Sequence, residues 1–571
     1  MAYRRPALPA EPPPSSSPPP PPPLPALSSH PAPAETAYKV HTVVEAACLV
    51  IPYAWAFGRL RVLGKIGWGG DMGVAVVVLA ATLMLQFASL HSTNSTIQIR
   101  TGYYRPNAEP GIVAGLLLPP LVTASMMLAV TDPEMSDYFA LFLKLSLWFS
   151  SLEGARLFMR LGSGWTRHVW ATVLVGVCLT SLTSRMQIIY GLGGVVIFKA
   201  FLHMLQSWLR PSFTLGEALV VAQTLALLFI DAVFSLQSKL LPQHPQPTLM
   251  HRSEMNVFMH ALVYGMLLIG IALSPLLRAI SQARLDGQTQ RWMVLSGFFY
   301  VAVVALVLFI IAPWTQLCLG AEPFMWTINF VLFSGFTRPV VTLYWASIIV
   351  IGVTIAWLKF PETTANSAVL NWKRKYFHLL ATLMFIPGYI WDPEFMHLAF
   401  SVALAVLILF EYLRHFRLYP LGQPVHDFLS KFLDDRDCGP VILSHLYLLV
   451  GCALPVWLNR IPMRMVVGGL SGMLTLGIGD TMASIHGKRF GRNKWPGTAK
   501  TVEGTLAFIV TITVACVTIS LLTKIPLIPT HKWPEFLVCI IFSSLLEAFS
   551  DQNDNLIIPL YTFAFLHLTL L

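Results

Sequence analysis

Between Gly477 and Thr505 the chain collects the residue types that handle phosphate: Gly477-Ile-Gly-Asp-Thr-Met-Ala-Ser-Ile-His-Gly-Lys-Arg-Phe-Gly-Arg-Asn-Lys-Trp-Pro-Gly-Thr-Ala-Lys-Thr-Val-Glu-Gly-Thr505. Gly487, Gly491, Gly497 and Gly504 let backbone N–H groups approach phosphate oxygens. Lys488, Arg489, Arg492, Lys494 and Lys500 supply positive charge. Thr498, Thr501 and Thr505 add hydroxyls, and a helix starting near Glu503 or Gly504 would turn its N-terminus toward an anion. The G-x-x-x-x-G-K-[ST] pattern is absent, so the ordinary P-loop fold is not implied. A basic loop that only fixed membrane topology would need neither the rigid turn Trp495-Pro496-Gly497-Thr498 nor the acidic Asp480 and Glu503 on its two sides.

The elements that hold this loop are membrane spans. Of 571 residues, 55% are hydrophobic and 12% charged, against about 25% charged in soluble domains. Apolar runs fall near 43–60, 71–91, 110–130, 138–158, 167–183, 186–206, 216–236, 256–278, 293–313 and 339–358, with a shorter one near 324–336. Seven more follow, near 376–391, 397–413, 441–458, 465–485, 504–522, 535–549 and 556–571. At roughly 20 apolar residues per crossing, this predicts an all-α, polytopic helical bundle of about 15 or more spans. Residues 1–39, with an unbroken run from Pro18 to Pro23, read as a disordered cytosolic or flexible tail. Residues 40–360 read as an N-terminal multi-span region and 361–571 as a catalytic membrane region with its loop at about 477–505.

The net charge of +10 sits in short loops between apolar runs, which points to lipid and topology rather than nucleic acid. Seven cysteines without a C-x-x-C pair indicate neither a disulfide framework nor zinc. Lys144, Glu153, Lys199 and Asp231 are isolated charges within spans, and snorkelling or interhelical pairing explains them better than a transport path. Counting crossings puts Arg374–Lys375, the loop 414–440, the loop 486–503 and the turn with Asp551 and Asp554 on one face. Arg460, Arg464, Lys524 and Lys532 fall on the other. The excess of Lys and Arg makes the first face cytosolic.

The block from Gly479-Asp480-Thr481 through Lys494-Trp495-Pro496-Gly497-Thr498 to Lys500-Thr501-Val502-Glu503-Gly504-Thr505 resembles the CTP-binding segment of dolichol kinases. Other stretches agree: Arg374-Lys375-Tyr376-Phe377-His378, Glu411-Tyr412-Leu413-Arg414, Phe432-Leu433-Asp434-Asp435-Arg436-Asp437, Ser444-His445-Leu446-Tyr447-Leu448-Leu449, Ser544-Leu545-Leu546-Glu547-Ala548 and Asp554-Asn555-Leu556. The resemblance covers about 370–560 and is weak before it. It implies CTP as phosphoryl donor, dolichol or a related polyprenol as acceptor, a divalent cation such as Mg²⁺, and residence in the endoplasmic reticulum membrane. It also implies a nucleotide-binding segment over Lys488, Arg489, Phe490, Gly491, Arg492, Asn493, Lys494, Trp495, Pro496, Gly497, Thr498, Ala499, Lys500, Thr501, Val502 and Glu503. The chain departs from the family pattern in the basic residues Lys488, Arg489 and Arg492 and in its proline-rich tail.

Phosphoryl transfer requires cations on the phosphates, metal-binding carboxylates and an acceptor for the alcohol proton. Asp480 is the first choice as metal ligand and Glu503 the second. Asp434, Asp435 and Asp437 form an acidic cluster suited to a second metal or to orienting the alcohol, with a solvated loop as the plain alternative. His378 and His445 offer an imidazole base, against a structural histidine in each case. Lys375 and Arg374 suit a nucleotide or membrane phosphate, whereas Glu547, Asp551 and Asp554 read first as capping around Asn553–Asn555. The competing readings are a CTP-dependent kinase of phytol, another prenol or diacylglycerol, a multi-span transporter, and a non-catalytic scaffold. A transporter would gather its ionisable residues at mid-membrane, and here they gather at one surface.

Overall fold

The computed structural model describes residues 33–67, 70–91, 103–106, 108–161, 166–180, 185–240, 253–359, 367–430, 433, 436–459 and 465–571. The tail to residue 32, Asp434, Asp435, Arg460 and Arg464 lie outside the described residues.

Among the described residues the apolar runs become helices, as lipid demands of a backbone that has no water to satisfy it. In chain order these are α1 (Pro33–Val62), α2 (Asp71–His91), α3 (Ile112–Ala129), α4 (Pro133–Leu161), α5 (Thr166–Thr180), α6 (Arg185–Trp208), α7 (Leu215–Leu240), α8 (Glu254–Ala272), α9 (Ser274–Leu285) and α10 (Thr289–Leu319). There follow α11 (Pro323–Phe333), α12 (Thr337–Lys359), α13 (Ser367–Trp391), α14 (Pro393–Phe416), α15 (Gly422–Leu429), α16 (Leu443–Leu458), α17 (Val466–Phe490), α18 (Val502–Thr523), α19 (Trp533–Phe549) and α20 (Asp554–Leu570). Eleven of these are long and apolar enough to cross a membrane, and α11, α16 and α20 are shorter apolar helices. The longer but more polar α4 and α13 account for further runs read as spans. Among the described residues the only β pairing is the bridge between Lys494 and Thr501.

The helices differ in what covers them. α3 is apolar all round and buried over almost its whole length, packed by α1, α4, α7 and α20. α10 exposes Val301, Val304 and Phe309, a surface suited to lipid. The regions 40–360 and 361–571 are not separate bodies, because α3 packs on α20, α1 on α19 and α8 on α14 around a shared core. The in-span charges are paired between helices: Lys199 with Glu153 at 2.5 Å, Lys144 with Asp71 at 3.8 Å, and Asp231 with Tyr138 at 2.7 Å.

Small residues let the elements under the site approach closely. A Cβ on Gly451 of α16 would lie 2.0 Å from the Asn555 carbonyl oxygen of α20, so nothing larger than glycine fits there.

Candidate active site

α17 carries Asp480 at the end of a π-helical stretch, Met473–Asp480, of the kind that is common at functional sites. The helix does not end there, as a boundary aspartate would suggest; it continues as α-helix to Phe490. Lys375 and His378 lie three residues apart on α13, hence on one face, and both reach this carboxylate. Lys375 Nζ is 2.5 Å from Asp480 Oδ2 and 3.3 Å from its carbonyl oxygen. His378 Nδ1 is 3.4 Å from the same Oδ2 and 3.0 Å from Leu476 O.

Residues 491–501 form a short hairpin. Trp495 N donates to Lys500 O at 3.0 Å and Val502 N to Asn493 O at 2.9 Å. Its tip is the turn Trp495-Pro496-Gly497-Thr498, with Thr498 N donating to Trp495 O at 3.3 Å and Gly497 at φ 77°. Proline fixes the first central position of such a turn and glycine takes the positive φ of the second. Thr501 caps α18 by accepting from Gly504 N at 3.2 Å. Glu503 accepts from Asn493 N at 3.1 Å and Asn493 Nδ2 at 3.0 Å, so it ties the hairpin to the helix.

The Trp495 indole anchors the hairpin, with its ring centroid 5.3 Å from that of Phe549 and Nε1 donating to Thr505 Oγ1 at 2.9 Å. Trp495→Ala removes both contacts. With the nucleotide and alcohol that the family resemblance implies as substrates, the expected result is a rise of about tenfold in KM for the nucleotide, corresponding to about 1.4 kcal/mol of lost positioning, with little change in KM for the alcohol. Steady-state kinetics with each substrate varied in turn checks it.

Lys500, at the base of the hairpin, meets two carboxylates from the chain's end: it is ion-paired with Glu547 of α19 and lies 3.4 Å from Asp554 of α20. Burial works against its charge, but Asp554, Glu547 and Asp480 outweigh it and hold the ammonium pKa above the ordinary lysine value. Oxygens of Asp480, Glu547 and Asp554 all lie within 4.8 Å of one another. Asp554 Oδ1 is buried without a hydrogen-bond partner.

The turn before α20 is braced by the N-terminal half. Glu217, fully buried, is ion-paired with Arg105 and accepts from Asn553 N at 3.0 Å. Gln552 Nε2 donates to Glu109 O at 3.1 Å, and Ser550 Oγ to Glu45 Oε1 at 2.8 Å.

These elements enclose a cavity of about 570 Å³. Of the residues expected from sequence, Asp480, Lys488, Gly491, Lys494, Ala499, Lys500 and Thr501 line it. Lys375, Arg436, Glu547 and Asp554 line it as well. Arg489, Phe490, Arg492, Asn493, Trp495, Pro496, Gly497, Thr498, Val502 and Glu503 do not. Glu503 and Trp495 hold the hairpin, and Arg489 lies over the Phe490 ring at 5.3 Å. His378 is buried behind Asp480 and outside the lining. Asp437 accepts from Ser444 N at 3.1 Å and from Ser444 Oγ, which fixes the start of α16. His445 is also outside the lining.

Glu547, Asp554 and Lys375 stand outside the catalytic set expected from the sequence, and Glu217 is not among the residues it marks. The available signals were a carboxylate at the closing end of an apolar helix and another in the first turn of a helix, Glu217 within Leu215–Leu240. As assembled, five cations face three carboxylates across one cavity, a composition suited to a polyphosphate with a divalent ion.

A sequence model of the dolichol kinase family matches residues 167–462. That segment includes Lys375 and His378 and stops before Asp480. The chain is 34% identical to dolichol kinase EVAN of Arabidopsis thaliana over 403 residues, which is 68% of this chain and 69% of that protein. It is 34% identical to dolichol kinase of Homo sapiens over 381 residues, 64% and 67% of the two chains. Against dolichol kinase sec59 of Schizosaccharomyces pombe the identity is 31% over 446 residues, 73% and 82%. No solved structure matches.

Proposed function

We propose that this chain, which belongs to the dolichol kinase family and phosphorylates dolichol from a nucleotide donor, uses CTP and carries out the transfer in the cavity between Asp480, Lys500, Glu547 and Asp554. The observation that carries the site is the convergence of three carboxylates from α17, α19 and α20 on one lysine-lined cavity. CTP rather than another nucleotide is supported by the likeness of the segment from Lys488 to Glu503 to the family's CTP-binding segment.

Lys488, Lys494 and Arg436 bind the polyphosphate, together with the N-terminus of α18, whose Thr501, Gly504 and Thr505 line the cavity. Asp480 and Glu547 suit Mg²⁺, which favours one or two carboxylates plus phosphate oxygens. Bound there, Mg²⁺ would neutralise charge on the transferring phosphoryl group. Lys375 and His378 fix the Asp480 carboxylate in place. Lys500 retains its proton and acts as a fixed positive charge, not as a base. The Asp554 oxygen that has no partner, Oδ1, takes the proton of the lipid hydroxyl. The alcohol oxygen bonds to the γ-phosphorus as the bond to the β–γ bridging oxygen breaks, and that electron pair leaves on CDP.

The enzyme is a multi-pass membrane protein. We assign it to the endoplasmic reticulum with the 486–503 loop in the cytosol, a placement supported by the excess of Lys and Arg on that face. Residues 361–571 supply the reacting groups and 40–360 brace them through Glu217, Glu109 and Glu45.

The test is transfer of label from γ-labelled CTP to dolichol in membranes containing the full chain, with labelled ATP in parallel. Dolichyl phosphate labelled from CTP alone is the expected result. Equal labelling from ATP would overturn the donor assignment, and label in another lipid alcohol but not in dolichol would overturn the acceptor.

A further inference from the structure

Beside the polar cavity lies a second one of about 530 Å³, enclosed by α6, α7, α8, α9, α14, α16 and the start of α20. Its walls are largely aliphatic, with Leu225, Ile408, Leu446 and Val450 among them, and a narrower pocket that shares Leu228 and Trp457 extends it. The two main cavities adjoin at the first turn of α20: Asp554 and Asn555 line the polar one and Leu556 the apolar one.

One group in this apolar wall is unsatisfied. Tyr447 is 3% exposed and its hydroxyl has no hydrogen-bond partner. A buried tyrosine normally finds one, with its ring in apolar surroundings and its oxygen on a polar group. Tyr447 also stands one helical turn before Gly451, on the same face of α16. Gly451 is the residue pressed against the Asn555 carbonyl, so the phenol belongs to the face of α16 that meets the start of α20. Tyr447 thus lines the apolar cavity and Asp554 the polar one that adjoins it at Leu556, and each carries an oxygen without a partner.

We propose that the apolar cavity holds the hydroxyl-bearing end of the dolichol chain, its first few isoprenoid units, and that Tyr447 hydrogen-bonds the alcohol oxygen as it crosses to Asp554. The proposal rests on the reading of the chain as a dolichol kinase acting at the Asp480 site. A volume of about 530 Å³ falls in the range of roughly 300–1,000 Å³ that buries a small organic ligand. It therefore takes a few units and leaves the remainder of the polyprenol in the bilayer. Tyr447 is a positioning residue, since the phosphoryl group passes at the carboxylates and not at the phenol.

Two measurements on the full-length protein in lipid nanodiscs test this. Tyr447→Phe keeps the ring, so KM for dolichol should rise about five- to tenfold, the loss of one hydrogen bond, while KM for CTP and thermal stability stay at wild-type values. A dolichol analogue with a diazirine in its second isoprenoid unit should crosslink to Leu446, Val450 or Ile408 in the wild-type protein. Adducts confined to the outward faces of α10 and α12, with an unchanged KM in Tyr447→Phe, would overturn the proposal while wild-type transfer leaves the kinase reading intact. A folded wild-type protein that transferred nothing from any nucleotide to dolichol would overturn both.

Discussion

Asp480→Asn should reduce dolichol phosphorylation by about 10³-fold or more, the scale of losing a group that holds metal and charge at the reacting centre. Asparagine keeps the shape and removes the charge. The carboxylate faces Lys375 at 2.5 Å and His378 at 3.4 Å, with Glu547 and Asp554 within 4.8 Å. Its loss leaves Lys375, itself only 7% exposed, without a counter-ion. Removing one partner of such a buried pair typically costs about 3–5 kcal/mol of stability, so a fall in activity alone would be ambiguous. The double variant Lys375→Met/Asp480→Asn separates the effects: it should recover thermal stability in detergent and remain inactive. A double variant with restored turnover would show that Asp480 serves only to neutralise Lys375.

Lys500→Met should lower kcat by about 10²-fold or more while KM for dolichol changes little, since a fixed positive charge at the phosphoryl group acts mainly in the transition state. Methionine replaces the aliphatic stem but not the ammonium that pairs with Glu547 and stands 3.4 Å from Asp554. Because Asp554, Glu547 and Asp480 hold that ammonium protonated against the effect of burial, no loss of activity from Lys500 deprotonation should appear between pH 6 and pH 10. An alkaline limb below pH 10 that vanished in Lys500→Met would show instead that its proton is exchangeable and part of the chemistry. Lys500→Arg is informative beside it. It retains charge but presents a planar fork rather than a point charge, so partial activity is expected.

The difference between what was legible and what was hidden follows from the range of each signal. Hydropathy is a local property, and among the described residues each apolar run read from the sequence has a helix over most of its length, from Val40–Val62 to Asp554–Leu570. The turn at the tip of the hairpin was legible for the same reason, though the pairing of its two arms was not. Trp495-Pro496-Gly497-Thr498 carries its own turn conformation in a proline and a positive-φ glycine, whereas the cap that Thr501 makes on the next helix is a finding of the structure. The role of each charged residue was not legible in the same way. Arg489 and Lys488 are chain neighbours of the same sign, yet one lies over Phe490 and the other lines the cavity, because a helix turns successive side chains through about 100°.

The sequence by itself therefore determined that this is a helical membrane enzyme of the dolichol kinase type, and it offered Asp480 and a lysine-rich turn as candidates for its centre. Tertiary structure alone decided which carboxylates join them. Glu503 is 23 residues from Asp480, and its side chain is spent on Asn493. Glu547 and Asp554, 67 and 74 residues away, close on Lys500 because α19 and α20 pack beside α17 and α18. The packing that sets the position of α20 includes Gly451 against Asn555 and the Glu217–Arg105 pair against Asn553. These are contacts between segments from about 100 to about 340 residues apart. No local pattern encodes them, since they depend on how helices with similar apolar surfaces choose their neighbours, and that choice is made by the fit of small residues and the pairing of a few buried charges.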